Sequence, residues 1–203
     1  MRRIILASGS PRRKELLKKA GIEFEVIASG CAEVVNRAQP VEDVVKDLSK
    51  LKAEDVYNKF CRESEGQSIG SEEDGGLIVI GADTLVCCNG EILGKPKNDD
   101  DAYRMIGMLQ DNKHEVTTGV TIINVMENGA KGIKSFAEVS EVEVYPMSVQ
   151  EIWDYIDTGE PKDKAGAYAI QGKFSKYIKR INGDYSNIVG LPIGRVYREL
   201  KRL

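Results

Sequence analysis

Apolar positions along this chain fall into short runs and helical stripes that alternate with polar turns. Residues 4–7 form an apolar run that reads as a strand. Residues 11–20 read as a helix that Gly21 stops. Residues 23–27 alternate, as a half-buried strand does. From 40 to about 60, Val41, Val44, Val45, Leu48, Leu51 and Val56 recur at helical spacing and predict one long amphipathic helix. Residues 77–80 are continuously apolar and predict a strand covered on both faces, ending at Gly81-Ala82-Asp83-Thr84. Segments 85–88 and 91–93 flank Asn89-Gly90, a strong hairpin signal. Beyond them the pattern predicts a helix at 100–109 and two long strands at 115–125 and 134–144 around Asn128-Gly129. A helix at 149–156 closed by Gly159, a strand at 177–181 and a last helix from about 192 to 203 complete it. Strands interleaved with helices and hairpins predict an α/β domain with a mixed sheet.

Composition narrows the class. A chain of 203 residues suits a single domain, 1–203, with a buried core. The stretch at about 62–76 is rich in Ser, Glu and Gly and is expected to be a flexible polar insert. Net charge is −3, which argues against a general nucleic-acid coat. No apolar run approaches the roughly 20 residues of a membrane span, and the start is too short for a signal peptide. A cytoplasmic protein with neither nucleic-acid nor membrane partners is expected. Cys31, Cys61, Cys87 and Cys88 show no metal-binding spacing and are expected to be reduced thiols. The only histidine, His114, begins a strand and is expected to be half-buried rather than catalytic.

Candidate chemistry gathers at a few places. Ser10 can cap the first helix with Pro11 at its first position. Arg12, Arg13 and Lys14 then crowd a helix N-terminus, which suits a polyanion; a solvated basic turn is the plain alternative. Asp83, flanked by Gly81 and Ala82 at a strand end, suits metal binding or polarising a water, or else caps a turn. Lys95, held between Gly94 and Pro96, suits a phosphate contact or is a solvated turn lysine. Glu33 and Lys52 read as surface positions when taken singly. In 162–172, small residues admit a flat ring, Tyr168 offers a stacking face and Gln171 offers donor and acceptor to a base edge; ordinary tight packing is the rival reading. Neither a Walker A nor a G-x-G-x-x-G sequence is present.

Five motifs in order carry a resemblance: Ser8-Gly9-Ser10-Pro11-Arg12-Arg13, Gly81-Ala82-Asp83-Thr84, Gly94-Lys95-Pro96, Lys164-Ala165-Gly166-Ala167-Tyr168 and Val189-Gly190-Leu191-Pro192. Over nearly its whole length the chain resembles the Maf family of nucleoside triphosphate pyrophosphatases. The resemblance implies a fold like that of the inosine triphosphate pyrophosphatases: a long mixed sheet flanked by helices, with two lobes around a deep cleft. It implies cleavage of a nucleoside triphosphate between its α- and β-phosphates, with Asp83 as proton acceptor. Ser8, Arg12, Arg13, Lys52 and Lys95 match phosphate positions, and Glu33 with Asp83 matches a site for a divalent cation, magnesium or manganese. Arg12, Thr84 and Gln171 follow the pattern of the dTTP/UTP branch. The 7-methyl-GTP branch carries a bulky aromatic in place of Arg12 and a glutamate near Gln171. A homodimer is expected from the family. A 7-methyl-GTP enzyme and a non-catalytic nucleotide-binding regulator of septum formation are the rival readings.

Overall fold

The computed structural model describes residues 2–63 and 76–203. Its elements run β1 (Arg3–Leu6), α1 (Pro11–Lys19), β2 (Glu25–Val26), α2 (Val41–Glu63), β3 (Leu77–Cys88), β4 (Glu91–Leu93), α3 (Asp99–Leu109), β5 (Lys113–Val125), β6 (Lys131–Val144), α4 (Val149–Ile156), β7 (Ile178–Asn182), α5 (Tyr185–Val189) and α6 (Ile193–Leu200). Short 3-10 turns fill 160–163, 165–167 and 173–177 between α4 and β7. Apart from its two ends, the insert expected at about 62–76 lies outside the described residues. The helical stripe of α2 is buried at Val44, Val45, Leu48 and Val56, but Leu51, expected to belong to it, is exposed.

The sheet is mixed and seven-stranded, in the order β2-β1-β3-β5-β6-β7, with β4 also paired to β3. β1 is parallel to β2 and β3; the other pairs are antiparallel. The mixed sheet flanked by helices is thus as the pattern predicts. One face packs under α2, where Val79, Ala53, Val56 and Ile123 are fully buried. The other packs under α1 and α6 through Leu6, Leu17, Ile80 and Val196. A third cluster joins α3, α4 and the 165–177 segment around Phe174.

Several local expectations are corrected. β3 does not end at Gly81: it runs unbroken from Leu77 to Cys88, so Asp83 stands in mid-strand opposite Gly119. The small residues there answer to a helix pressed against the strand, not to a turn. A Cβ on Gly81 would strike the Ser49 carbonyl and Ala53, and one on Gly119 would strike the Val45 carbonyl, all in α2. The second strand shrinks to two residues. Ser10 occupies the N-cap of α1 but its side chain makes no cap bond; its N–H instead donates to the Ser8 hydroxyl. His114 is fully buried, not half-buried, because the Tyr168 hydroxyl lies on its Nε2 at 2.7 Å. The last helix expected from about 192 begins at Ile193, and a separate short helix, α5, precedes it.

Candidate active site

Pairing along β3 leaves an opening. β1 covers 77–80 and β4 covers 86–88 on one edge, while β5 covers the other edge from 77 to 87. Between them, at 81–85, that first edge has no strand neighbour among the described residues. A cleft of about 600 Å³ opens at this gap. Consecutive strand residues point to opposite faces. At an open edge, both Asp83 on the α2 face and Thr84 on the α1 face still reach the same cleft.

The α2 face supplies the acid. Because Gly81 and Gly119 let the α2 backbone lie on the sheet, Lys52 comes down directly onto Asp83, with Nζ to Oδ1 at 2.5 Å. The same ammonium meets Glu33 Oε1 at 2.8 Å. Lys52 and Asp83 side chains are 12% and 9% exposed, whereas Glu33 is half exposed, so the triad is anchored on its inner side and open on its outer side. The Ser49 hydroxyl, bonded to Thr121 at 2.8 Å, fixes the helix one turn before Lys52.

The α1 face supplies a guanidinium clamp. Arg13 is buried and donates to the Gly190 carbonyl at 2.7 Å, the Ala82 carbonyl at 2.8 Å, Ser8 Oγ at 3.1 Å and Thr84 Oγ1 at 3.0 Å. It thereby fills the missing strand edge at Ala82. Burial lowers its pKa, Asp83 opposes that shift, and a guanidinium so far above neutrality stays charged. Four of its five donors are engaged, leaving one N–H on Nη2 for a ligand. Thr118 Oγ1 donates to the Asn187 carbonyl, so Thr84 donates to Thr118 while accepting from Arg13. The Thr84 hydroxyl's one donor is thereby committed, and the side chain acts as shaped wall.

The opposite wall is the 163–171 segment. Gly166 N–H donates to the Gly94 carbonyl at 3.0 Å, which joins this wall to the turn bearing Lys95. Arg12, Lys95 and Gln171 line the cleft and are solvent-accessible. Asp163 is paired with Lys164, and that bond together with the nearby charge of Arg12 holds its carboxyl below the usual range. Tyr168 lines the cleft but is only 6% exposed, so it offers no open stacking face.

All nine sequence-predicted site residues line this one cleft: Ser8, Arg12, Arg13, Glu33, Lys52, Asp83, Thr84, Lys95 and Gln171. His114 does not. The sequence reads 183–187 only as a turn and helix entry facing the cleft; Asn187 there is fully buried and ties α5 to β5 through the Thr118 N–H at 3.1 Å and the Val116 carbonyl at 2.9 Å. Asp184 at the α5 N-cap was the available signal. The Asp163–Lys164 pair was visible only as a local charge run.

The sequence model of the family described as "Maf-like protein" matches residues 3–203. A dTTP/UTP pyrophosphatase from Lachnoclostridium phytofermentans is 45% identical over 202 residues, covering 100% of this chain and 95% of the relative. One of the same name from Carboxydothermus hydrogenoformans is 46% identical over 199 residues, covering 98% and 97%. A third, from Agathobacter rectalis, is 45% identical over 204 residues, covering 100% and 98%. The solved dITP/XTP pyrophosphatase of Mycobacterium abscessus aligns at a TM-score of 0.33 and 9% identity over 98% of this chain and 93% of that one, too low to bear on the fold.

Proposed function

The chain belongs to the Maf-like family, and from that premise we propose that it is a nucleoside triphosphate pyrophosphatase that hydrolyses dTTP and UTP to the monophosphate and pyrophosphate. The observation that carries the reading is the Lys52 ammonium held between Glu33 and Asp83 in a cleft that also gathers Arg12, Lys95 and Gln171. In the reaction, water forms a bond to the α-phosphorus and the α–β bridging bond breaks. Asp83 takes the water's proton, and the electron pair leaves with pyrophosphate. Arg12, Lys95 and Lys52 face the phosphates and stabilise the charge that gathers on the leaving group. Gln171 meets the O4/N3 edge of uracil or thymine, and Thr84 shapes the pocket beside it.

A divalent cation fits the carboxylates. Glu33, in the loop after β2, and Asp83, on β3, both meet the Lys52 ammonium, whose single positive charge leaves the group net negative. Among the described residues no group of three or more His, Cys, Asp or Glu side chains forms a metal cage. Two carboxylates with room for phosphate and water is what magnesium or manganese takes. Glu33 and Asp83 would hold it, and when bound it neutralises phosphate oxygens. Incubating the protein with UTP or dTTP and magnesium or manganese, then separating pyrophosphate from phosphate, tests the reading. UMP or dTMP with pyrophosphate is expected. Nucleoside diphosphate with phosphate, or binding without turnover, overturns it.

A further inference from the structure

Gln171 is exposed at the cleft edge, in a turn closed by the Gly172 N–H donating to the Ala169 carbonyl at 3.0 Å. A solvent-facing turn places a side chain well only when something outside the turn holds it. Here both flanks lead to one carboxylate that does not line the cleft, Glu160. Its Oε2 accepts the Lys173 N–H at 3.0 Å. Its Oε1 accepts the Tyr155 hydroxyl at 2.9 Å, and that hydroxyl accepts the Ala169 N–H at 3.3 Å. Gly172 lies flat against the same carboxylate, since a Cβ there would strike Glu160 Oε1, Cδ and Oε2. Its φ of −101° suits any residue, so the glycine serves space and not conformation.

The anchor behind the clamp is stiff. Tyr155 is 3% exposed on α4, whose first turn is fixed by the Ser148–Glu151 capping box. Its ring packs on Phe174 at 5.0 Å, and Phe174 packs on Tyr168 at 4.9 Å. We infer that Glu160 is a positioning residue for base recognition: its carboxylate clamps both flanks of the 169–173 turn and so sets where the Gln171 amide meets the base. This rests on the proposed role of Gln171 in reading uracil or thymine.

The sign of the effect separates the clamp from a plain charge effect. A carboxylate near a triphosphate cleft repels the substrate, so removing its charge alone lowers KM. Loosening the clamp raises KM. Glu160→Gln keeps the size but loses one of the two acceptors. Gly172→Ala evicts the carboxylate from the other side and keeps its charge.

The experiment is steady-state UTP hydrolysis by both variants, repeated in a Gln171→Ala background, with amide hydrogen exchange at Ala169 and Lys173. Each single variant is expected to raise KM about 3- to 10-fold, the worth of one hydrogen bond, with kcat within about twofold. In the Gln171→Ala background neither adds a further rise. Exchange at both amides quickens in Glu160→Gln and Gly172→Ala alike. An unchanged or lowered KM, or the same factor in both backgrounds, overturns the inference. Wild-type protein that does not turn over UTP refutes the substrate reading instead. Exchange then decides the clamp alone, and unchanged protection at Ala169 and Lys173 overturns it. Should Gly172→Ala not fold, Glu160→Gln carries the same comparison.

Discussion

Asp83 suits a proton acceptor because its neighbours hold its largely buried side chain at the wall of the cleft. Lys52 grips Oδ1 at 2.5 Å, and Gly119 across the strand pair adds no side chain above it. Asp83→Asn keeps the shape and a lone pair for Lys52 but cannot take the proton. Turnover of UTP is expected to fall by a factor of about 10²–10⁴ with the melting temperature little changed. Near-wild-type pyrophosphate release would remove Asp83 from the mechanism. His114 makes the second prediction at this scale. Burial lowers its pKa to about 4, while in an unfolded chain it titrates near its ordinary value. The folded protein therefore binds fewer protons than the unfolded one between these two values. Its contribution is full above about pH 6.5, drains as pH falls toward 4, and loses nothing more below that. Between pH 7 and pH 5 the loss is about 2 kcal/mol, and no other histidine shares it. Urea unfolding at the two pH values should show that loss in the wild type and a smaller one in His114→Gln; equal losses would place the titration elsewhere. The sequence placed this histidine on a strand correctly. Its full burial depends on Tyr168, 54 residues away, which no local spacing reveals.

At the scale of elements, α2 and the strands beneath it form one device. The helix backbone rests on Gly81 and Gly119, and that contact carries Lys52 onto Asp83. Gly119→Ala sets a methyl against the Val45 carbonyl, backbone against which no rotamer gives way. The helix must lift, at a cost of about 3 kcal/mol, and the Lys52–Asp83 contact opens with it. A lowered denaturant midpoint together with lost turnover is expected, whereas a midpoint equal to wild type would mean that α2 does not bear on this glycine. Gly107 is the control, since it sits in α3 with nothing within 4 Å of an added Cβ. Gly107→Ala should hold or raise the midpoint. The same contact explains where the sequence misled. The long helix and long strands were legible because their periods are strong over many residues. Gly81-Ala82-Asp83-Thr84 reads as a strand end because small residues usually mark turns. Its cause is a helix brought by the fold from 30 positions earlier, which a local reading of β3 does not contain. The Asn89-Gly90 and Asn128-Gly129 turns were legible for the opposite reason, since each is closed within a few residues.

Across the whole molecule, the site depends on distance along the chain. Lys52 meets Asp83 across 31 residues, and Arg13 meets Gly190 across 177. Composition does not show such convergence, and Glu33 and Lys52 looked like ordinary surface residues until the sheet brought them together. Five motifs in a fixed order carried the assignment instead, because their order and identity encode the fold that unites them. The gathered charges give a property of the whole. The chain carries a net charge of −3, yet Arg12, Arg13, Lys52, Lys95 and Lys164 line the cleft against Glu33, Asp83 and Asp163. A polyanionic substrate therefore meets a chain of weakly negative net charge with an attracting opening at the unpaired edge of β3. Salt weakens both fields, but the ions inside a partly enclosed cleft act over shorter distances and dominate binding. KM for UTP should thus rise about fivefold between 50 and 300 mM salt while kcat stays nearly constant. Arg12→Ala should raise KM at low salt and flatten that dependence, since one of the screened charges is gone. A KM that falls with salt would mean that the acidic surface, not the cleft, governs approach of the nucleotide.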